Sequence, residues 1–542
     1  MRKFITENKY LTVLWVLCGL ALILFCGHYG NIVFDIGREI YYPERILDGK
    51  VLYKDLFNIY GPFPYLFNAL LYKIFTVHLN TLYVSGALCS FGIVSGVYII
   101  SRKFLSEFLS FAIGVFVIIC GVCATHLFNY TLPYSYGMLY GTVAFIYSVW
   151  AYLKFQEKNN QGFLYLAALL GGIAFSNKYD FIVYGIVLFI ASLFTRNKRI
   201  VLNFITCFMF VPVICGIILF IQGLGLNDIS YALADIKSLA EAKTLKYFYT
   251  IQGIYFSSKV LPVWLFNFIQ TVLGFGIIAG GIKITEKNKF IGYVIAGIGS
   301  IAFIVFSQPA VFVYIAPLII LTALTVFTKL KTQSGLLFLT IAVLSVCIKC
   351  FWVMLPLNYG NYALPAALCV LMSLLFTVVD RKYEKAFAIG IIAVSLNILI
   401  ANSNRLFLSD KISTDRGNIY TYSEIADATN NLIAGLETSD AKSAVIYPEG
   451  LLVNFLTGIK SDDYYNSMLP LYIESIGEDR FLKSLKENNP EYIVLNNQST
   501  YEYGAEHITK DYAYDFGKYL QESYEPVEDI DRGFRYIVFK RK

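Results

Sequence analysis

FDIGREIYYPERILDGKVLYKDLFNIYGPFPY, residues 34–65, sets Asp35, Glu39, Glu44, Asp48 and Asp55 directly after a first run of purely apolar character. Beside a bilayer such groups are costly, and by default they mark a site. The composition says that a bilayer is the setting. The 542-residue chain is 57% hydrophobic, 17% aromatic and only 15% charged, with a mean hydropathy of +0.59. Those values belong to a polytopic membrane protein and exclude an ordinary soluble domain.

Charge is distributed unevenly. Residues 405–542 hold 23 acidic and 15 basic side chains, which leaves 29 basic and 15 acidic residues in the rest. A basic membrane part with an acidic tail points to positive cytoplasmic loops, not to nucleic acid. The ten cysteines, Cys18 to Cys369, all fall in apolar segments. The C-x-x-C pairs Cys120/Cys123 and Cys347/Cys350 therefore read as small core residues, and no disulfide framework is expected.

A spanning helix needs about 20 apolar residues. Runs of that kind lie near 10–30, 80–101, 107–126, 134–153, 162–177, 180–195, 200–222, 262–282, 290–306, 310–328, 334–355, 362–379 and 386–403. The expected fold is thus a polytopic α-helical membrane protein of about 13 transmembrane helices. Seven short connections carry the lysine and arginine excess, and all fall on one side if the N-terminus is cytoplasmic. That leaves 31–79, 224–261 and the tail outside. The first is expected to contain interfacial helices, and the second shows only weak helical period. The tail mixes helical segments with β-rich runs at 444–448, 491–497 and 534–540, a small α/β domain. The domain reading is 1–404 in the membrane and 405–542 outside.

Several residues are candidates for chemistry. Asp35, Arg38 and Glu39 share a face if the stretch is helical. A carboxylate there can act as general base, or Asp35 can simply pair with Arg38. Asp55, close to Tyr53, either meets a sugar hydroxyl or caps the next helix. Lys178, beside Tyr179 and Asp180, stands at the break between two short apolar segments. It either holds a phosphate or snorkels, neutralised by Asp180. His126 lies in a short outer turn with no second histidine at metal-binding spacing, so no metal and no cofactor is expected. Gly171 and Gly172 read as helix-packing positions. Lys349, late in its span, either faces a lipid phosphate or snorkels, and snorkelling is the preferred reading.

The pattern D-x-G-R-E-x-x-x-P-x-R-I-L-x-G-x-x-L-Y-x-D followed by G-P-x-x-Y resembles the first outer loop of the C-type glycosyltransferase superfamily. It is closest in kind to bacterial relatives of the protein O-mannosyltransferases and of the lipid A aminoarabinose transferase. LLGGIAFSNKYDF, residues 169–181, is similar to their G-x-A-x-x-x-K segment. The resemblance implies that Asp35 is the catalytic base, that Glu39 and Asp55 assist donor or acceptor, and that Lys178 contacts a lipid phosphate. With these go Arg38, Tyr53, Tyr179 and His126 as substrate-binding candidates. It differs from the protein mannosyltransferases, whose acidic pair is adjacent, since Ile36 follows Asp35. The implied enzyme sits in the bacterial cytoplasmic membrane, with its C-terminal domain extracytoplasmic. It takes a polyprenyl-phosphate-linked sugar and an envelope glycan, lipid or protein acceptor, and inverts the anomeric centre. A flippase for a lipid-linked glycan would place ionisable groups along several mid-span helices, and here they crowd the outer loops. A glycan ligase or polymerase with the same donor type stays open.

Overall fold

The computed structural model describes residues 8–30, 36–356, 358–403 and 406–542. The chain begins with α1 (Lys9–Phe25), α2 (Ile36–Leu47), α3 (Phe63–Ile74), α4 (Leu79–Ser101) and α5 (Glu107–Val117). There follow α6 (Tyr136–Lys158), α7 (Gln161–Asn177), α8 (Ile182–Leu193), α9 (Lys198–Ile221), α10 (Leu226–Glu241) and α11 (Lys243–Ile251). The membrane part closes with α12 (Leu261–Ile284), α13 (Lys289–Phe306), α14 (Ile315–Thr325), α15 (Ser334–Val346), α16 (Leu364–Leu375) and α17 (Glu384–Ser403).

Each of the thirteen apolar windows contains one of these helices. Among the described residues five segments are long and apolar enough to cross a membrane: α4, α9, α12, α13 and Arg381–Ser403. Seven more apolar helices are shorter, several of them prolonged by 3-10 turns such as Ile348–Cys350 and Tyr359–Tyr362. Gly172 lets α7 and α9 touch, because a Cβ there would lie 1.9 Å from the carbonyl oxygen of Phe208. This glycine thus serves helix packing. The second outer segment, whose period looked weak, forms α10 and α11, held by neighbours from the tail. Asp235 pairs with Arg480 at 2.7 Å, and Glu474 accepts the backbone N–H groups of Lys243 and Thr244.

The tail begins with a hairpin, β1 (Ser409–Thr414) and β2 (Gly417–Tyr422), then α18 (Ser423–Thr438). Beyond it come β3 (Ala444–Tyr447), α19 (Leu451–Thr457), α20 (Pro470–Ile476), α21 (Glu478–Asn488), β4 (Tyr492–Asn496), α22 (Tyr514–Ser523), β5 (Tyr524–Asp531) and β6 (Arg535–Arg541). The sheet order is β3-β4-β6-β5, with β3 and β4 parallel and the other pairs antiparallel. The three β-rich runs of the sequence are β3, β4 and β6. The hairpin and β5 were not anticipated, because charged and polar residues dominate them.

This tail grips the first outer loop. Arg416 Nη1 reaches Glu44 at 2.8 Å, and buried Arg45 bridges Asp48 at 2.6 Å and Asp462 at 2.7 Å. Tyr41 accepts the N–H of Ser461 at 2.7 Å, and Phe57 donates its N–H to the carbonyl of Tyr464. Gly37 is the tightest point, since a Cβ there would lie 2.4 Å from the backbone nitrogen of Leu452. Backbone cannot yield as a flexible side chain does. Gly37→Ala is expected to cost about 1–3 kcal/mol, read as a lower unfolding temperature together with faster proteolysis of the tail. Unchanged protease sensitivity would show that the loop and tail part without cost.

Candidate active site

Glycine places the key lysine. A Cβ on Gly61 would lie 2.1 Å from the carbonyl oxygen of Ser176 and 2.8 Å from that of Asn177. Gly137, in the first turn of α6, would meet the same Asn177 oxygen at 2.8 Å. The end of α7 is therefore wedged between the first loop and α6. Lys178, the next residue, is carried under the ring of Tyr60.

Lys178 is only 4% exposed. Its Nζ donates to the Tyr134 hydroxyl at 2.8 Å and lies 4.8 Å from the centre of the Tyr60 ring. The Arg38 guanidinium sits over that same ring at 4.8 Å. Two cations thus share one aromatic ring, an arrangement that favours them modestly. Asp180 lies 3.8 Å from Lys178 but only 2.6 Å from Lys349. The carboxylate neutralises Lys349 first, and Lys178 does not snorkel. Burial pushes the Lys178 ammonium down to about 8, against the pull of Asp180, with Lys349 depressing it further.

Tyr134 is held for this role by Asn129. The Asn129 Oδ1 accepts the N–H groups of Thr131 and Leu132, and its Nδ2 donates to the carbonyls of His126 and Leu132. His126 accepts the N–H of Phe128 at Nδ1. It belongs to the loop that positions Tyr134, not to the cavity wall.

Arg38, Lys178, Tyr179, Asp180 and Lys349 line one cavity of about 350 Å³, within the range of small-molecule sites, about 300–1,000 Å³. Its lower wall is apolar, with Ile182 and Val183 from α8 and Val346 and Ile348 from the end of α15. The second outer segment adds Phe248 and Tyr249, and the tail adds Leu471, Tyr472 and Tyr503. Phe248 and Tyr503 stack at 5.0 Å. The first loop, residues 224–261 and the tail therefore all meet at this cavity. The basic connections gather at the far end, where Lys103 pairs with Glu157 and Lys329 donates to the Thr377 carbonyl.

A small crevice of about 30 Å³, with both apolar and polar lining, adjoins it, and Arg38, Ile59 and Tyr472 line both spaces. The tail carboxylate of Glu449 lines the crevice and accepts the Ser467 hydroxyl at 3.1 Å. Arg38 is thus the partition between a larger space lined by several cations and a smaller one.

No family model matches the chain, and no curated protein matches it. Among solved structures it is similar to ArnT from Cupriavidus metallidurans bound to undecaprenyl phosphate. That likeness has 11% identity and a TM-score of 0.49, over 98% of this chain and 97% of the other. It is also similar to the Archaeoglobus fulgidus oligosaccharyltransferase in complex with Zn and sulfate, at 11% identity and TM-score 0.48, over 90% and 68% of the two chains.

The acidic residues of the first loop divide sharply. Asp35 lies outside the described residues. Glu39, expected beside it as a catalytic group, is 1% exposed and does not line the cavity. Its carboxylate accepts the Tyr65 hydroxyl and the Tyr136 N–H, each at 2.7 Å, with Arg38 at 3.4 Å. It caps the N-terminus of α6, where the helix dipole favours an anion, and steadies Arg38. Burial raises its carboxyl above the usual range, opposed by Arg38, Tyr65 and the Tyr136 N–H. These partners enclose the Glu39 carboxylate within the protein. Asp55 accepts the Val51 N–H at 2.7 Å and so closes a turn. Tyr53 donates to the Tyr60 carbonyl at 2.5 Å and bears on the cavity through Tyr60.

Sequence reasoning missed Tyr60 and Glu449. The Y-G-P signature was visible for Tyr60. Glu449 gave no local signal, since it meets the crevice through neighbours remote in the chain.

Proposed function

We propose that the chain is an integral-membrane glycosyltransferase that moves a sugar from a polyprenyl-phosphate donor to a hydroxyl acceptor, with inversion, at the extracytoplasmic face. One observation carries this reading. Arg38, Lys178 and Lys349 line one cavity together with apolar side chains of the membrane helices, Ile182, Val183 and Val346 among them. A lipid phosphate needs that combination of fixed cations and hydrocarbon surface.

In the proposed reaction Asp35 takes the proton of the acceptor hydroxyl. The acceptor oxygen forms its bond to the anomeric carbon as the bond from that carbon to the phosphate oxygen breaks. The phosphate leaves with the electron pair and gains one negative charge. Preorganised cations are worth most where charge develops, which assigns Lys178, Arg38 and Lys349 to the leaving group. The crevice beyond Arg38, with Glu449, suits the acceptor hydroxyl. The topology that goes with this has thirteen spans and a cytoplasmic N-terminus. Residues 1–404 form the membrane domain, and 405–542 form an extracytoplasmic domain clamped on the first loop.

The test is transfer or hydrolysis by the purified protein with a panel of synthetic polyprenyl-phosphate monosaccharides. Turnover with one donor is expected. Tight binding of a donor without turnover of any would favour a flippase. Neither binding nor turnover would remove the donor class altogether.

A further inference from the structure

A second cavity lies between membrane helices and shares no lining residue with the first. It measures about 650 Å³, is lined mainly by α12, α14, α16 and α17, and includes the exposed Val272 in its wall, so it opens to the helix surface. On α12 its lining runs from Phe268 to Lys283 at helical spacing, a length of about 22 Å by helical rise. That exceeds the depth of one leaflet, about 15 Å as half of a hydrocarbon core of about 30 Å. Gly276 and Gly280 face into it, and a Cβ added to either would meet nothing within 4 Å. These two glycines therefore pack against no neighbour and keep a channel open.

The channel is apolar except at one end, where Lys283 and Tyr383 line it. Lys283 is exposed, and no ion pair or hydrogen bond of its side chain occurs among the described residues. The same end carries the basic connections with Lys287, Lys289, Arg381, Lys382 and Lys385. Of these Lys382 is paired with Asp380 at 3.2 Å and Arg381 with Glu384 at 4.0 Å. The local balance stays positive, at the depth where a channel sized for hydrocarbon ends.

We propose that this cavity is a site for a resident anionic phospholipid, with an acyl chain along α12 and its headgroup phosphate at Lys283. Charge complementarity selects the headgroup, and the missing side chains at Gly276 and Gly280 make room for the chain. The site is independent of the donor cavity and of the proposed transfer reaction.

The full-length protein, purified in mild detergent, is offered phosphatidylglycerol or phosphatidylcholine, and retained lipid is counted by native mass spectrometry. The wild type is expected to keep one phosphatidylglycerol in preference to phosphatidylcholine by about fivefold, the effect of one lysine near an anionic headgroup. Lys283→Gln is expected to abolish the preference while still retaining lipid. Gly280→Leu is expected to retain neither lipid, and Gly276→Leu gives an independent repeat of that blockade. Binding of polyprenyl phosphate at the other cavity, together with a monodisperse elution profile, verifies that the glycine variants are folded. Equal retention in wild type and folded Gly280→Leu would overturn the site. A phosphatidylglycerol preference that survives Lys283→Gln would overturn the headgroup assignment.

Discussion

Asp35→Asn is expected to lower sugar transfer by about 10²–10⁴-fold, the range for loss of a general base, with donor affinity and unfolding temperature close to wild type. The reasoning runs through its neighbours. Glu39 caps α6 and is buried, Glu44 is held by Arg416, Asp48 by Arg45, and Asp55 by the Val51 N–H. In the cavity itself Asp180 is committed to Lys349. Four of the five loop carboxylates therefore have structural work, and Asp35 is the one that the family pattern offers as base. The assay is single-turnover transfer with saturating donor, paired with a direct binding measurement. If Asp35→Asn keeps the full rate, the base moves to Glu449, and Glu449→Gln becomes the decisive variant.

Lys178→Met should reduce the transfer rate by about 10²–10³-fold, as loss of one preorganised charge at a leaving group does, and should weaken polyprenyl-phosphate binding as well. The fold is expected to survive. Exchanging a buried charge for an apolar chain of similar volume removes a desolvation cost, so the unfolding temperature should not fall. A pH experiment separates electrostatics from shape. Because burial lowers the Lys178 ammonium to about 8, the free protein carries this cation below that pH and loses it above. Donor affinity in the wild type is therefore expected to decline as pH rises through about 8. Lys178→Met should lack that step and Lys178→Arg should flatten it, since a guanidinium stays protonated. A wild-type profile that is level from pH 7 to 9.5 would show that Lys178 does not hold the phosphate as a cation.

In the first loop the sequence shows where carboxylates gather, and the structure shows what each described one is bonded to. Its density of carboxylates signalled a special surface, but spacing cannot say whether an acid faces a substrate or a partner. Glu44 and Asp48 were drawn to arginine partners, and Asp48 finds Arg45 only three residues away while Glu44 waits for Arg416, far along the chain. His126 and Asp55 illustrate the same point at short range. Each accepts the backbone N–H of a near neighbour, which satisfies an otherwise orphaned donor.

What the chain by itself determined follows from local rules: thirteen apolar windows that each became a helix, three β-rich runs that became strands, and Lys178 set at the break between two helices. Apolar length and side-chain period act within a few residues, so they can be read without a partner. Only the tertiary structure decided which groups share a cavity. Gly61 and Gly137 leave room for the Asn177 carbonyl, Tyr60 gathers Arg38 and Lys178, and Lys349 arrives from 171 residues further on. Those meetings depend on how closely backbones can approach and on which opposite charges meet once helices pack. Neither is encoded in any single segment.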